Sequence, residues 1–262
     1  MPIFKSASSA FKRFKLKIMN VNSNSYTYGF AIALVVAVAA ALSIAATSLK
    51  PMQDANVALE KKSDILSSIG LTSEDPASLY ADVIKEQLVL VNGQVVDGIS
   101  PDAVDMAKSV ALPETERQTP LYIAENEGKT YYIIPVRGKG LWGPIWGYIS
   151  LNEDGTSVFG ATFGHKSETP GLGAEITTEF FTGQFPGKVV YSDSYTGIEV
   201  RKGDASGNQQ VDGISGGTIT SVGVQYMLEN CLKPYQAYLK SRGTVSAAAP
   251  SDADTTATIA TL

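Results

Sequence analysis

The residues whose types and spacing best suit chemistry form one short stretch, DGISGGTITS, at residues 212–221. Apolar residues spaced by three and four follow it and predict an amphipathic helix over residues 221–240. A glycine-containing loop rich in hydroxyls suits an anion when it ends at a helix N-terminus, because free amides and the helix dipole favour negative charge there. Thr218 is the natural residue to present a hydroxyl in such a loop.

The same stretch has a purely structural interpretation. A Ser or Thr side chain can cap the helix N-terminus and stabilise it by about 1 kcal/mol, with no ligand involved. Asp212 would then position the loop or cap a turn. The stretch alone leaves both interpretations open.

The chain has one cysteine, Cys231, and one histidine, His165. We therefore expect no metal site, since a zinc site of four Cys and His ligands or an iron–sulfur cluster needs more ligands of these types. Any redox chemistry needs an organic cofactor. The helical spacing places Cys231 in the core, and His165 is expected to be a hydrogen-bonded residue at a strand end.

A second glycine pattern, GKGLWG at residues 138–143, spells the dinucleotide-binding consensus G-x-G-x-x-G after a predicted strand. That consensus requires a helix to open at its third glycine. Pro144 and an aromatic strand follow instead, so the pattern predicts a turn in which Trp142 and Trp146 pack. Two such rings beside glycines would also suit one wall of a slot for a planar ring.

Three segments together resemble a known family. Residues 212–218, DGISGGT, resemble the D-x-x-S-G-A-T motif on which a flavin transferase attaches FMN by a phosphoester to the last threonine, with Gly217 in place of the usual alanine. The GKGLWG segment and ETPGLG at residues 168–173 resemble parts of the FMN-binding domain found in the C subunit of the bacterial sodium-translocating NADH:quinone oxidoreductases. The three segments occur in the family's order.

The resemblance implies an electron carrier that contributes to an enzyme complex but has no catalytic residues of its own. In that family electrons come from NADH through FAD and iron–sulfur sites on other subunits, pass to the covalent FMN, and continue to further flavins and ubiquinone. Thr218 would hold the FMN phosphate, and Glu168 would disfavour an anionic reduced flavin. The other residues implied are Ser215, Gly216, Gly217 and Thr220 in the loop, and Glu168, Thr169, Leu172, Gly173 and Trp142 on the isoalloxazine side.

Two functions other than that of the quinone reductase subunit remain open for this chain. The first is the homologous flavin subunit of the ferredoxin:NAD electron-transport complex. The second is an anchored sensory or binding module that holds FMN without carrying current. The implied partners of the carrier are the other membrane, flavin and iron–sulfur subunits of its complex, and a flavin transferase for maturation.

The flavin segments follow a predicted transmembrane helix at residues 26–49. No charged residue occurs between Lys17 and Lys50. The largely apolar stretch of 21 residues from Tyr26 to Ala46, at about 1.5 Å each, spans roughly 30 Å, the thickness of a hydrocarbon core. Residues 1–25 hold five basic and no acidic side chains, in a chain of net charge -5. We therefore expect a single pass through a bacterial inner membrane, with the N-terminus in the cytoplasm and the main domain in the periplasm. A cleaved secretory signal is the alternative.

The helix and strand patterns of the rest of the chain predict an α+β fold, in which a mostly antiparallel sheet packs against helices, including the helix at 221–240. Strand patterns occur at 121–123, 130–136, 145–151 and 156–163, the last two forming a hairpin, and Asn92-Gly93 predicts another hairpin. The acidic balance of the 262 residues provides no basic surface for nucleic acid. The expected division is a basic arm at 1–25, the span at 26–49, a helical and hairpin region at 50–120, an FMN-binding domain at 121–243 and a disordered tail at 244–262.

Overall fold

The computed structural model describes residues 23–246. The predicted arm at 1–25 lies almost entirely outside this range, and so does the predicted disordered tail at 244–262, apart from residues 244–246, which are helical. The helices are α1 Asn24–Ser68, α2 Pro76–Val83, α3 Met106–Ser109, α4 Glu179–Thr182, α5 Thr218–Leu232 and α6 Gln236–Ser246. The strands are β1 Ile84–Val91, β2 Gln94–Val95, β3 Gln118–Asn126, β4 Lys129–Lys139, β5 Pro144–Leu151, β6 Val158–His165, β7 Glu199–Arg201 and β8 Gln210–Asp212. Short 3-10 turns occur at Pro101–Ala103, Glu114–Glu116, Gly173–Thr177 and Lys233–Tyr235.

Helix α1 is one continuous helix of 45 residues, with Pro51 inside it. The expected boundary between span and following region, at residues 49 and 50, therefore falls within a helix. Judged by length and composition, α1 contains a stretch long and apolar enough to cross a membrane, and none of that stretch is buried. Of the described residues, 23–56 belong to one compact unit and 57–246 belong to a second.

The second unit is built on a six-stranded antiparallel sheet with the strand order β2-β1-β3-β4-β5-β6. The expected α+β class is confirmed. Strand β1 pairs with β3 along its whole length, so the sheet crosses the boundary that the sequence placed at residues 120 and 121. The short strands β7 and β8 pair in parallel as a separate two-stranded sheet.

The hairpin predicted at Asn92-Gly93 is present. Val91 pairs with Gln94, so the two residues between them form the turn. Asn92 has a φ of 50° and Gly93 a φ of 75°. Both values lie in the left-handed region that a tight hairpin turn of this kind requires, which is why the Asn-Gly pair predicts it.

Both faces of the sheet are covered. On one face Ile123 and Ile134 join the core that α5 completes. On the other, Tyr122 and Ile133 pack with the last turns of α1, including Ile65. Because alternate residues of a strand point to opposite faces, two covered faces explain why β4 is apolar at nearly every position in its middle.

The helix expected at 221–240 is present, but its bounds differ. Helix α5 begins three residues earlier, at Thr218, and ends at Leu232. A 3-10 turn containing Pro234 then leads into α6. Proline explains the break because it lacks the amide hydrogen that a continuous helix would need. The apolar stripe is buried as expected, at Val224, Met227, Leu228, Cys231, Leu232, Tyr235 and Leu239.

Candidate functional site

The DGISGGTITS stretch connects β8 to α5 and brings its hydroxyls to the start of that helix. Gly217 is the N-cap and no side chain caps the helix, so the Ser or Thr cap of the structural interpretation is not formed. Gly216 has a φ of +76°, a conformation that glycine adopts without steric cost. Because the first amides of a helix have no carbonyl partner within it, they remain available to an anion.

Two of the four hydroxyls in the loop serve the fold. The hydroxyl of Thr220 donates to Oε2 of Glu168 at 2.6 Å. The hydroxyl of Ser221 accepts from the amide of Ile214 at 2.9 Å and donates to the carbonyl of Gly217 at 3.0 Å. Both side chains are buried, so neither hydroxyl is accessible for modification.

The other two hydroxyls, those of Ser215 and Thr218, belong to exposed residues. Within the described part of the chain neither forms a hydrogen bond. A hydroxyl at a bare helix N-terminus is well placed to carry a phosphate, because the phosphate oxygens would lie near the free amides. The structure thus narrows four candidate hydroxyls to two.

Thr218 lines two neighbouring cavities, and this position distinguishes it from Ser215. A cleft of about 230 Å³ is lined by Leu141, Trp142, Glu168, Thr169, Leu172, Gly173, Gly216, Gly217, Thr218, Ile219 and Thr220. A neighbouring cavity of about 310 Å³ is lined by Val200, Arg201, Lys202, Gly203, Gly213, Ile214, Ser215, Gly216, Thr218, Ser221 and Val222. Apart from Ser215, every residue expected at the flavin lines the first cleft. Thr218 borders both cavities, whereas Ser215 borders the second alone.

Glu168 joins three segments of this site. Its side chain is 5% exposed, and Oε1 accepts from the amide of Trp142 at 2.8 Å. Its other carboxylate oxygen accepts from Thr220. The carboxylate therefore ties the β4–β5 turn and the first turn of α5 to the loop that follows β6. A buried carboxylate is costly unless it is hydrogen-bonded, and here both oxygens have a donor.

Two glycines allow this close approach. A Cβ atom at Gly140 would lie 2.6 Å from Oε1 of Glu168, and one at Gly173 would lie 2.5 Å from Oγ1 of Thr220. Larger residues at either position would force the carboxylate out of its place. The turn between Glu168 and Gly173 closes where the carbonyl of Thr169 accepts from the amide of Leu172 at 3.1 Å.

His165 and Asp212 have structural hydrogen bonds. His165 ends β6, and its Nδ1 accepts from the amide of Glu168 at 3.2 Å, which confirms the expectation of a hydrogen-bonded strand end. Oδ1 of Asp212 accepts from the amide of Ala205 at 2.8 Å. Asp212 thus caps a turn outside the cleft. Among residues 23–246, no group of three or more His, Cys, Asp or Glu is arranged to hold a metal ion.

The GKGLWG segment forms the turn between β4 and β5, as its sequence predicts, and no helix opens there. The two tryptophans do not share one wall. Trp142 is 64% exposed and lines the cleft at Thr218. Trp146 faces Arg137, whose guanidinium carbon lies 6.0 Å from the ring centroid.

Several residues at the two cavities were not found from the sequence. Leu141 and Ile219 line the cleft, and Arg201 and Lys202 line its neighbour. A signal exists for Ile219, since it is apolar yet lies off the buried stripe of α5 and is 60% exposed. Nothing in the spacing connects Arg201 or Lys202 to a loop that follows them by ten residues or more.

Cys231 takes no part in either cavity. It is buried, and burial raises the pKa of its thiol to about 11, although the nearby amide of Arg137 acts in the opposite direction. Such a thiol is almost entirely protonated at neutral pH and is inert. Its expected place in the core is confirmed.

Comparisons with known proteins give the family. Residues 140–233 match the model of the FMN-binding domain. The chain is 33% identical over 210 residues to the C subunit of the Na(+)-translocating NADH-quinone reductase of Vibrio vulnificus, covering 72% of this chain and 82% of the relative. The same subunit of the Pseudomonas aeruginosa enzyme is 34% identical over 213 residues, covering 70% and 82% of the two chains.

The chain belongs to this family of C subunits, or NqrC proteins. The crystal structure of the family member from Parabacteroides distasonis is 40% identical, with a TM-score of 0.66, and the match covers 73% of this chain and 96% of that one. Shewanella oneidensis NqrC has the same fold, with a TM-score of 0.61, 21% identity, and coverage of 71% and 97%. The resemblance inferred from three short segments is thus confirmed over most of the chain, and the family is that of a subunit of an oxidoreductase complex.

Proposed function

We propose that the chain is a membrane-anchored flavoprotein subunit that carries electrons within a sodium-translocating NADH:quinone reductase, through FMN attached covalently to Thr218. The observation that carries the attachment site is the free hydroxyl of Thr218. It lies at a helix N-terminus without a side-chain cap, and it is the exposed hydroxyl shared by both cavities.

The residues present fit FMN. The phosphate would lie at Thr218, where the free amides of α5 and the ammonium of Lys202 in the neighbouring cavity compensate its charge. Arg201 lines the same cavity but is paired with Glu199. The cleft offers Leu141, Trp142 and other apolar side chains to a planar ring. Bound FMN would supply the one-electron redox chemistry that the amino acids of this cleft lack.

The cleft's own residues position and expose the cofactor but do not supply acid–base catalysis. Its carboxylate, that of Glu168, is already occupied by two donors. A volume of about 230 Å³ is below the range of roughly 300–1,000 Å³ usual for pockets that enclose a ligand. A ring held here would therefore remain partly accessible, which is what a carrier needs in order to exchange electrons with other subunits.

The remaining parts of the proposal concern the assembly. Helix α1 would anchor the chain in the bacterial inner membrane, with the N-terminus in the cytoplasm and the FMN domain in the periplasm. Its partners would be the membrane, flavin and iron–sulfur subunits of the same complex, and a flavin transferase would attach the FMN. Purification from the native host tests this directly, since an independent binding module would be isolated without an NADH-oxidising complex.

Intact-mass analysis of protein from the native host, under denaturing conditions, tests the attachment. We expect the wild-type mass to exceed the polypeptide mass by one FMN less a water, with yellow fluorescence that survives denaturation. Thr218→Ala should lose both signals. Ser215→Ala is the matched control and should keep them, because Ser215 does not line the cleft. An unmodified wild-type mass, or loss of flavin from Ser215→Ala alone, would contradict the proposal.

A further inference from the structure

A third cavity, of about 540 Å³, lies alongside α5 and does not include Thr218. It is larger than the cleft of about 230 Å³ at that threonine. Its walls come from the ends of β4 and β5 that meet at the GKGLWG turn, from the region of α3, and from the middle of α5. None of the ten residues expected to contact FMN lines it, so it is a different site.

Close packing of α5 on β4 builds this cavity. A Cβ at Gly138 would lie 2.6 Å from the Cβ of Met227, so the glycine lets the helix approach the strand directly. Gly223, Tyr226, Met227 and Asn230 all line the cavity. Their spacing of three and four places them on one face of α5. This wall is thus formed by a regular helix and strand and does not depend on the conformation of a loop.

The charged residues that line the cavity are basic. Arg137 and Lys139 line it, and none of its other described lining residues carries a charge. In the described part of the chain neither cation forms an ion pair. The guanidinium of Arg117 lies close by, since its Nη1 donates to the carbonyl of Asn230 at 2.9 Å. Two unpaired cations in one cavity of a chain with net charge -5 would attract a negative group.

The rest of the lining is apolar or amphipathic. Val110 and Pro144 provide aliphatic surface, and Tyr226 provides an aromatic ring. A volume of about 540 Å³ lies within the range of pockets that hold small organic ligands, which are mostly apolar with a few convergent polar groups. This combination does not suit a bare inorganic ion, which would leave the apolar wall uncovered.

We propose that this cavity binds an organic anion that has one carboxylate or phosphate head and an apolar body. The head would lie at Arg137 and Lys139, and the body would lie against Val110, Pro144 and Tyr226. The proposal does not depend on FMN, because this cavity and the cleft at Thr218 have no lining residue in common. The same chemistry is offered by a soluble organic acid and by the head and upper acyl chain of an anionic phospholipid.

The test uses the full-length protein in nanodiscs of neutral phosphatidylcholine, with 2-naphthoate as the soluble probe and calorimetric titration as the readout. We expect saturable binding of one equivalent. Lys139→Gln should weaken it about tenfold, since a bond to a charged group is lost. Lys129→Gln, an exposed lysine at the other end of β4, is the matched control and should leave it unchanged. The neutral analogue 2-naphthamide should bind at least about tenfold more weakly than 2-naphthoate.

Arg137 is tested by a pair of variants. Arg137→Gln should weaken 2-naphthoate binding, and Arg137→Lys should largely restore it, because the charge and not the packing against Trp146 holds the anion. The Thr218→Ala protein should bind as the wild type does, which keeps this test separate from that of the FMN attachment. No binding of 2-naphthoate, equal binding of the amide, or unchanged affinity in Lys139→Gln would overturn the proposal.

A second arm distinguishes the two sources of the anion. With phosphatidylglycerol added to the nanodiscs, a lipid occupant would compete with 2-naphthoate in the wild type. Lys139→Gln should relieve that competition. Unaltered 2-naphthoate affinity in the anionic discs would assign the cavity to a soluble acid.

Discussion

The hydroxyl of Thr220 donates to Oε2 of Glu168 at 2.6 Å across 52 residues of chain. The other oxygen of the same carboxylate accepts from the amide of Trp142. Through this contact the start of α5 is held against the β4–β5 turn. Thr220, which makes the contact, lies two residues after the proposed attachment site at Thr218. The position of that site therefore depends on a side chain far away in the sequence.

Removal of the Thr220 hydroxyl should destabilise the domain. In Thr220→Val one carboxylate oxygen of the buried Glu168 loses its donor, so we expect the free energy of unfolding to fall by about 1–3 kcal/mol. Thr220→Ser keeps the hydroxyl and should lose less than half as much. Urea denaturation of the detergent-solubilised protein measures both, and equal stability of the two variants would show that the hydrogen bond contributes nothing.

Glu168→Gln should probe charge with little change in structure. The amide oxygen can accept from the Trp142 amide, while its nitrogen donates to the Thr220 hydroxyl, which can rotate to accept. If FMN binds in this cleft, loss of the negative charge should raise its midpoint potential, on the order of tens of millivolts, because an anionic reduced flavin is no longer repelled. Redox titration of the purified variant measures the shift. An unchanged potential would refute the assigned role of Glu168.

Gly216 and Gly171 offer a matched pair of substitutions. Both have a φ of +76°, so alanine at either position should cost about 1–2 kcal/mol of stability from backbone strain. At Gly216 a Cβ would also lie 2.8 Å from Cδ2 of Leu172, whereas at Gly171 nothing lies within 4 Å. Gly216→Ala should therefore be the less stable variant in thermal unfolding and should carry less covalent flavin. Equal behaviour of the two variants would exclude the contact with Leu172 as a determinant of the cleft.

Asp64 should make the stability of the domain depend on pH. Burial raises the pKa of its carboxyl from 3.8 to about 6, and the charge of Glu60 adds to the effect. The folded state thus holds the proton more tightly than the unfolded state does, so stability falls as pH rises from about 4 to about 6 and stays lower above that range.

Asp64→Asn removes this effect. At pH 7.5 the variant should be more stable than the wild type by about 1 kcal/mol, a value reduced because the carboxyl is partly exposed to water. Near pH 4 the difference should vanish, since Asp64 is then protonated in the folded protein. Thermal unfolding at both pH values checks this, with the exposed Asp97→Asn as the control. A pH-independent difference would mean that packing, and not ionisation, is responsible.

The local sequence pattern was sufficient to predict several structural elements. The Asn92-Gly93 turn requires left-handed backbone at two adjacent positions, and those residue types supply it. The stripe from Val224 to Leu239 predicted the buried face of the last helices. The α+β class followed from such short segments, because hairpins, amphipathic faces and glycine turns depend on residues only a few positions apart. The family was indicated by the resemblance of three short segments to its motifs.

The tertiary structure decided how those segments form a site. The hydroxyl of Thr220 is bound to Glu168, a residue distant in sequence, whereas that of Thr218 is exposed. The start of α5 at Thr218, and not at Ser221, depends on the packing of Gly217 and its neighbours against the loop that ends at Gly173. The cationic cavity at Arg137 exists because α5 crosses β4 at a glycine. Such contacts join residues distant in sequence, so no local periodicity encodes them, and they are determined when the whole chain packs.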